Sequence, residues 1–133
     1  MLKINCDGGA RGNPGPAAYG FVVKDGPKLL KEGAGYIGKT TNNVAEYTAV
    51  VEALNWLKKE KPKADLTFFL DSQLVVSQLN GIFKVKDAKI RELVLKVREL
   101  ESAFNKIMYY HIPREENKDA DRLVNRALDT TNY

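Results

Sequence analysis

The sequence contains one cysteine, Cys6, and one histidine, His111, among 133 residues. A lone cysteine excludes a disulfide within the chain and fits a reducing compartment. One cysteine and one histidine are also too few for the ligand sets that hold zinc. No apolar run approaches the roughly 18 residues of a membrane-spanning helix, and the first nine residues lack the apolar segment of a signal peptide. We therefore expect a cytoplasmic protein that does not bind membranes.

The excess of positive charge is small. Lys and Arg number 21 against 17 Asp and Glu, which gives a formal net charge of +4. Such an excess favours a polyanionic partner, but it is equally typical of an ordinary hydrated surface. With 44% hydrophobic residues, the chain has enough material for one domain with a core and too little for two. We expect residues 1–133 to form that single domain.

Alternation and helical periodicity predict elements in the order β-β-β-α-β-α-α-β-α. The predicted strands are 2–7, 17–24, 28–37, 64–71 and 106–113, and the predicted helices are 42–59, 72–81, 87–104 and 117–129. The Asp-Gly pair at 25–26 indicates a hairpin between the second and third strands. A meander followed by βαβ units implies one mixed sheet with helices on its faces.

Two carboxylates lie where a functional site could form. Glu46 lies about 80° around the first helix from the centre of its apolar stripe, whereas Glu52, at about 160°, is a solvated acid. An acid near a helix start is otherwise common and stabilises the helix. Asp7 lies at the polar-face end of the first strand, immediately before Gly8, where the plain alternative is an Asx-turn.

Two further positions carry alternatives of their own. Asp71 ends the fourth strand, and the carboxyl ends of strands are where α/β proteins form sites. Taken alone, however, Asp71 is more plainly interpreted as the N-cap of the helix that begins at Ser72. On the last helix, Asp121 lies about 90° from the apolar stripe and Asp119 about 110° away on the other side. Spacing does not choose between these two.

Four carboxylates brought together could not all be ionised unless cations neutralised them. Hard oxygen ligands of this kind select Mg²⁺ or Mn²⁺. Two such ions about 4 Å apart are the usual apparatus for displacement at a phosphodiester. If the carboxylates converge, which the sequence alone does not show, the chemistry is metal-assisted hydrolysis of a polyanion.

Four blocks of sequence, in this order, resemble the type 1 ribonuclease H family. They are "DGGARGNPGPAAYG", "TTNNVAEYTAVVEAL", "DSQLVVSQLNG" and "PREENKDADRLVNRA". The resemblance covers essentially the whole chain and is to the compact branch, which lacks the basic protrusion of larger relatives. It implies the ribonuclease H fold, an α/β domain with a five-stranded mixed sheet flanked by helices. It also implies a monomeric endoribonuclease that cleaves the RNA strand of RNA/DNA hybrids with two Mg²⁺ or Mn²⁺ ions, leaving 5′-phosphate and 3′-hydroxyl ends.

The resemblance also assigns residues. By motif match the family's metal-binding, catalytic carboxylates are Asp7, Glu46, Asp71 and Asp121, which leaves Asp119 as a solvated neighbour. The glycine-rich turn lacks the Gly-Lys-Ser/Thr ending of a P-loop. It would instead let the backbone approach RNA 2′-hydroxyl groups, although a plain tight turn fits equally well. The residues implied to contact the hybrid are Gly8, Gly9, Arg11, Asn13, Thr41, Asn42 and Gln73, with Thr41 a ligand of a DNA phosphate.

One departure concerns the histidine that the family often carries in a mobile loop before the last helix. His111 falls inside the predicted fifth strand, which favours a structural role. Arg114, in the turn that follows, could contact the scissile phosphate in its place, although an exposed Arg in a turn is commonly just solvated. Four basic residues flank the start of the long helix and fit phosphate contact or a solvated face equally. They are Lys84, Lys86, Lys89 and Arg91.

Two other functions remain open at this point. One is a nucleic-acid-binding module on the same fold without catalysis, although intact carboxylates would be unfavourable next to phosphates in a pure binder. The other is a nuclease with broader substrates, such as duplex RNA or RNA–DNA junctions. The sequence also leaves open whether the C-terminal "DTTNY" is ordered.

Overall fold

A computed structural model describes residues 1–131, and all the predicted elements are present in the predicted order. The strands are β1 (Leu2–Ala10), β2 (Gly15–Asp25), β3 (Lys28–Thr40), β4 (Asp65–Leu70) and β5 (Lys106–His111). The helices are α1 (Asn42–Glu60), α2 (Gln73–Leu79), α3 (Ala88–Glu101) and α4 (Lys118–Thr130), with a 3₁₀ turn at Arg114–Glu116 before α4.

The strands form one mixed sheet in the order β3-β2-β1-β4-β5. The first three make an antiparallel meander, and β4 and β5 run parallel to β1. The predicted hairpin is confirmed, because Asp25 pairs with Lys28 and leaves Gly26 and Pro27 as a two-residue turn. Gly26 has φ +58, as the first central position of a type II′ turn requires.

The two faces of the sheet are covered by different helices. Leu2, Ile4 and Cys6 on one face of β1 join the main core beneath α1, and α3 packs on α1 from outside. On the opposite face α4 packs across β1, β2 and β3, and its Val124 and Leu128 form a small cluster with Ala18. Alternation along β1 places Asp7 on the α4 face.

The predicted end of β1 is wrong. The strand does not stop at Asp7 but continues through Gly8 and Gly9 to Ala10, still paired with β2. Asp7 therefore lies inside a strand, and the Asx-turn alternative is excluded. A Cβ on Gly8 would lie 2.1 Å from the Ala45 carbonyl carbon, so this glycine allows α1 to approach the sheet rather than making a turn.

Helix ends differ from prediction by a few residues. Asp87 is the N-cap of α3, since its Oδ1 accepts a hydrogen bond from the Ile90 amide at 3.0 Å, and the helix ends at Glu101 rather than 104.

Within residues 1–131, none of the helices is both long and apolar enough to cross a membrane. Of the C-terminal tail, Asn132 and Tyr133 lie outside the described residues.

Candidate active site

Three carboxylates meet at a gap beside β1. Because β4 ends at Leu70, opposite Cys6, the last part of β1 has no β4 residue beside it. Asp7 on β1 and Asp71 just after β4 border this gap, and Glu46 reaches it from α1. One carboxylate oxygen from each of these three residues lies within 4.8 Å of the other two. The convergence that the sequence could not show is therefore present for Asp7, Glu46 and Asp71.

Two glycines bring the helices close enough to deliver these side chains. Gly8 lets the α1 backbone sit against β1, which places Glu46 next to Asp7. Gly20 pairs with Asp7 across the β1–β2 ladder. A Cβ on Gly20 would lie 2.8 Å from the Ala120 carbonyl oxygen, so the start of α4 also approaches the sheet closely at this point.

The structure separates the two acids of the last helix. Asp121 lines the same cleft as Asp7, Glu46 and Asp71, at the margin of the three-carboxylate cluster. Asp119 is exposed and forms an ion pair with Lys24 at 3.4 Å. Asp121 thus lines the cleft with the other three carboxylates named by the motif match, while Asp119 lies outside its lining, and the role of Asp121 stays a prediction.

Asp71 is not the N-cap of α2, so that plainer interpretation is wrong. The cap is Ser72, whose Oγ accepts a hydrogen bond from the Val75 amide at 3.3 Å. The Asp71 carboxylate instead accepts a hydrogen bond from the Asn117 side-chain amide, with Nδ2 3.1 Å from Oδ2. Its negative charge is thus directed to the cleft and is not used to start a helix.

The cluster is electrostatically unfavourable without a cation. Burial, together with the Asp71 and Asp121 carboxylates, raises the pKa of Asp7 from its ordinary value near 3.8 to about 7. Burial and the neighbouring Asp7 and Asp71 also raise the pKa of Glu46 well above its usual range. Glu46 Oε2 is buried and has no hydrogen-bond partner among the described residues. These residues fit a divalent cation, which would neutralise the carboxylates and give the unpaired oxygen a partner.

A pH dependence of stability follows for the protein in EDTA. Between about pH 4 and pH 7 the folded state holds a proton on Asp7 that the unfolded chain has released, so the free energy of unfolding should fall as pH rises through this window. A shift of this size corresponds to about 4 kcal/mol at most. Urea unfolding across the window should show a steeper fall for the wild type than for Asp7→Asn. Equal slopes for the two proteins would contradict the shift.

The residues implied to contact a hybrid are distributed unevenly. Among the described residues, Gly8, Gly9, Arg11 and Asn42 line the cleft, whereas Asn13, Thr41 and Gln73 lie outside its lining. Several of these side chains also have structural partners, as follows. Asn42 Oδ1 accepts a hydrogen bond from the Ala10 amide at 2.8 Å, and Asn13 Oδ1 accepts one from the Asn42 amide at 3.0 Å. Thr41 caps α1, and Arg11 forms an ion pair with Asp129. The Asn42 and Asn13 bonds fix the β1–β2 turn against the start of α1.

Arg114 and His111, the two candidates for an auxiliary role, also differ in whether they line the cleft. Arg114, in the 3₁₀ turn, lines the cleft with the carboxylates. His111 is the last residue of the edge strand β5 and is exposed, so it lies in a strand as predicted but is not part of the core. The four basic residues near the start of α3, from Lys84 to Arg91, are all exposed.

One residue of the site was missed by the sequence analysis. Asn117 is only 1% exposed and contacts the carboxylate Asp71, the β1 carbonyl of Cys6 and the side chain of Asn5. In the sequence it is simply a polar residue at a helix start, which suggests an N-cap. Its side chain makes no capping bond in the structure, and its partners are distant along the chain.

Comparison with known proteins identifies the family. The sequence model described as "Reverse transcriptase-like" matches residues 5–127. A bifunctional protein of Mycobacterium tuberculosis is 43% identical over 130 residues, which are 96% of this chain and 35% of that protein. Ribonuclease HI of Halobacterium salinarum is 42% identical over 124 residues, which are 92% of this chain and 62% of that protein. The chain thus spans less than two thirds of the length of these curated relatives.

Solved structures agree over nearly the full chain. LC11 ribonuclease H1, isolated from compost by a metagenomic approach and solved in complex with an RNA/DNA hybrid, is 42% identical with a TM-score of 0.92. That match covers 97% of this chain and 97% of the other. The ribonuclease H1 of Halobacterium salinarum matches with the same TM-score at 39% identity, over 98% of both chains. With sequence blocks, topology and these matches in agreement, the chain belongs to the type 1 ribonuclease H family.

Proposed function

We propose that this protein is an endoribonuclease that hydrolyses the RNA strand of RNA/DNA hybrids with two Mg²⁺ or Mn²⁺ ions. The observation that carries the proposal is the convergence of buried Asp7 and Glu46 with half-buried Asp71, one Glu46 oxygen having no partner among the described residues. Because the chain belongs to the type 1 ribonuclease H family, we infer that the substrate of this cluster is a nucleic acid. The products would carry 5′-phosphate and 3′-hydroxyl ends.

The proposed roles follow from where each side chain lies. Asp7, Glu46 and Asp71 would hold the cations, with Asp121 completing the set from the margin of the cluster. When bound, the ions would supply activation of the attacking water and neutralisation of charge at the phosphate. The carboxylates must all be ionised to act as ligands, so binding would release the protons that the raised pKa values of Asp7 and Glu46 retain.

The cleft wall is proposed to position the substrate. Gly9, Ala10 and Asn42 line the cleft beside the carboxylates. Small residues there would allow close approach of a strand whose 2′-hydroxyl groups distinguish RNA from DNA. Arg114 would contact the phosphate under attack, since its guanidinium offers a planar set of donors. Outside the cleft lining, Asn13, Thr41 and Gln73 would contact the hybrid more peripherally.

Further properties of the whole protein are proposed on the same basis. Residues 1–133 would act as one domain, as a monomer in the cytoplasm. A catalytically silent binding module is the less favoured function, because buried carboxylates next to phosphates would weaken binding unless cations were present. A nuclease that also accepts duplex RNA or RNA–DNA junctions differs only in the substrate held in the cleft.

The test is cleavage of short end-labelled duplexes at equal concentration. The substrates are an RNA/DNA hybrid, duplex RNA, single-stranded RNA and duplex DNA, each with Mg²⁺, Mn²⁺ or EDTA. We expect cation-dependent cleavage confined to the RNA strand of the hybrid, with no products in EDTA. Cleavage of duplex RNA at a similar rate would establish the broader nuclease. If folded protein cleaved none of the four, the binding module would replace the proposal.

A further inference from the structure

A buried amide links three of the elements that carry the carboxylates. Asn117 precedes α4 and is 1% exposed. Both protons of its Nδ2 are used, one on the Cys6 carbonyl oxygen at 2.8 Å and one on Asp71 Oδ2 at 3.1 Å. Its backbone carbonyl accepts from the Asp121 amide at 3.1 Å. Asn117 therefore contacts β1, the residue after β4 and the first turn of α4 at the same time.

The orientation of this amide is set by the two acceptors that its NH₂ group faces, the Cys6 carbonyl and the Asp71 carboxylate. Asn5 Nδ2 donates to Asn117 Oδ1 at 3.0 Å, so the oxygen of Asn117 points toward Asn5 and its NH₂ group toward Asp71. The reverse orientation would place the Asn117 oxygen against both the Cys6 carbonyl and the Asp71 carboxylate, where all groups are acceptors. The two acceptors thus fix the Asn117 amide in one orientation, and the Asn5 amide, which can donate or accept, donates to its oxygen.

We propose that Asn117, held in one orientation by the Cys6 carbonyl, is a positioning residue that fixes the Asp71 carboxylate for cation binding. Donation to Oδ2 occupies one Asp71 oxygen and leaves the other available as a ligand. It also partly offsets the repulsion that Asp71 feels from Asp7 and Glu46. This inference rests on the proposed function, because it concerns the same carboxylates.

Removing the amide tests the inference directly. Asn117→Leu keeps a similar volume but donates nothing, while the backbone bond to Asp121 remains. We expect Mn²⁺ affinity, measured by isothermal titration calorimetry on the full chain, to fall by about 10- to 100-fold. At saturating Mn²⁺ the kcat for hybrid cleavage should fall while KM for the hybrid stays close to wild type. Wild-type Mn²⁺ affinity in folded Asn117→Leu would overturn the inference.

A pair of substitutions at Asn5 disturbs the Asn117 side chain without replacing it. In Asn5→Asp the introduced carboxylate, when ionised, cannot donate to the Asn117 oxygen and repels it, which displaces the amide from Asp71. We expect this variant to bind Mn²⁺ more weakly than wild type, with Asn5→Leu, which places no charge against the Asn117 oxygen, affected much less. Simple charge attraction predicts the opposite, tighter binding by Asn5→Asp, and that result would overturn the proposal even if Asn117→Leu did not fold.

The same samples separate this inference from the proposed function. Wild-type protein that binds Mn²⁺ but cleaves no hybrid would refute the nuclease while leaving the effect of Asn117 on cation affinity to be read from calorimetry. If the wild type cleaves the hybrid but Asn117→Leu and Asn5→Asp bind Mn²⁺ as tightly as the wild type, only the role of Asn117 is refuted. Thermal unfolding of each variant in EDTA provides the control for fold.

Discussion

Replacing Asp71 by Asn is expected to lower the rate of hybrid cleavage by at least about three orders of magnitude, or about 4 kcal/mol in the barrier. The substitution keeps the side-chain shape but removes one of the charges that would hold the cations. The amide oxygen of the substituted side chain could still accept from Asn117, so the expected loss comes from the missing charge. The measurement is the single-turnover rate of hybrid cleavage in saturating Mg²⁺ or Mn²⁺.

Asp119→Asn is the matched control for that experiment. It makes the same chemical change two residues from Asp121, but Asp119 is exposed and paired with Lys24, outside the carboxylate cluster. We expect Asp119→Asn to cleave at close to the wild-type rate. Asp71→Asn should remain folded, since it reduces repulsion among buried acids. Equal rates for Asp71→Asn and the wild type would contradict the assignment of Asp71.

Gly8→Ala is expected to destabilise the fold by about 3 kcal/mol or more, at the upper end of the cost of overpacking. The new methyl group would lie 2.1 Å from the Ala45 carbonyl carbon and 2.3 Å from the Glu46 nitrogen. These atoms belong to the backbone of α1 and cannot move aside as a flexible side chain could. The whole helix must therefore shift away from β1. Urea unfolding gives the change in the free energy of unfolding.

Gly9→Ala is the control for Gly8→Ala. It adds the same methyl group one residue later on the same strand, where the nearest side-chain atom, Val124 Cγ1, would be 3.6 Å away in ordinary contact. We expect a stability change within about 1 kcal/mol. Similar losses for the two variants would mean that Gly8 is not the point at which α1 requires a close approach.

The fold could be predicted from the sequence because hydrophobic periodicity is a local property. The stripes of α1 and α4 and the alternation in β1 identified each element and its buried face. Glycine was the main source of error, because a glycine that makes a turn and a glycine that allows close packing look the same in sequence. At Gly8 the reason for glycine is the Ala45 backbone, which is distant along the chain.

The candidate site could be predicted only in part, for the same reason. Strand ends and helix shoulders indicated Asp7, Glu46 and Asp71 one by one, but their convergence depends on β4 ending opposite Cys6. Asn117 left no local signal, because its partners Asn5, Cys6 and Asp71 are separated from it by 112, 111 and 46 residues. Contacts at such separations are set by the fold and not by neighbouring residues.

The position of bound Mn²⁺ is the most direct measurement of whether these carboxylates hold a catalytic cation. Crystals of the full chain grown with Mn²⁺ would be measured for anomalous diffraction, beside crystals of Glu46→Gln. We predict an anomalous peak in ligand contact with carboxylate oxygens of Asp7, Glu46 and Asp71, and a weakened or absent peak in Glu46→Gln. No peak among these three residues, at a Mn²⁺ concentration that supports cleavage in solution, would contradict a carboxylate-held cation at this site.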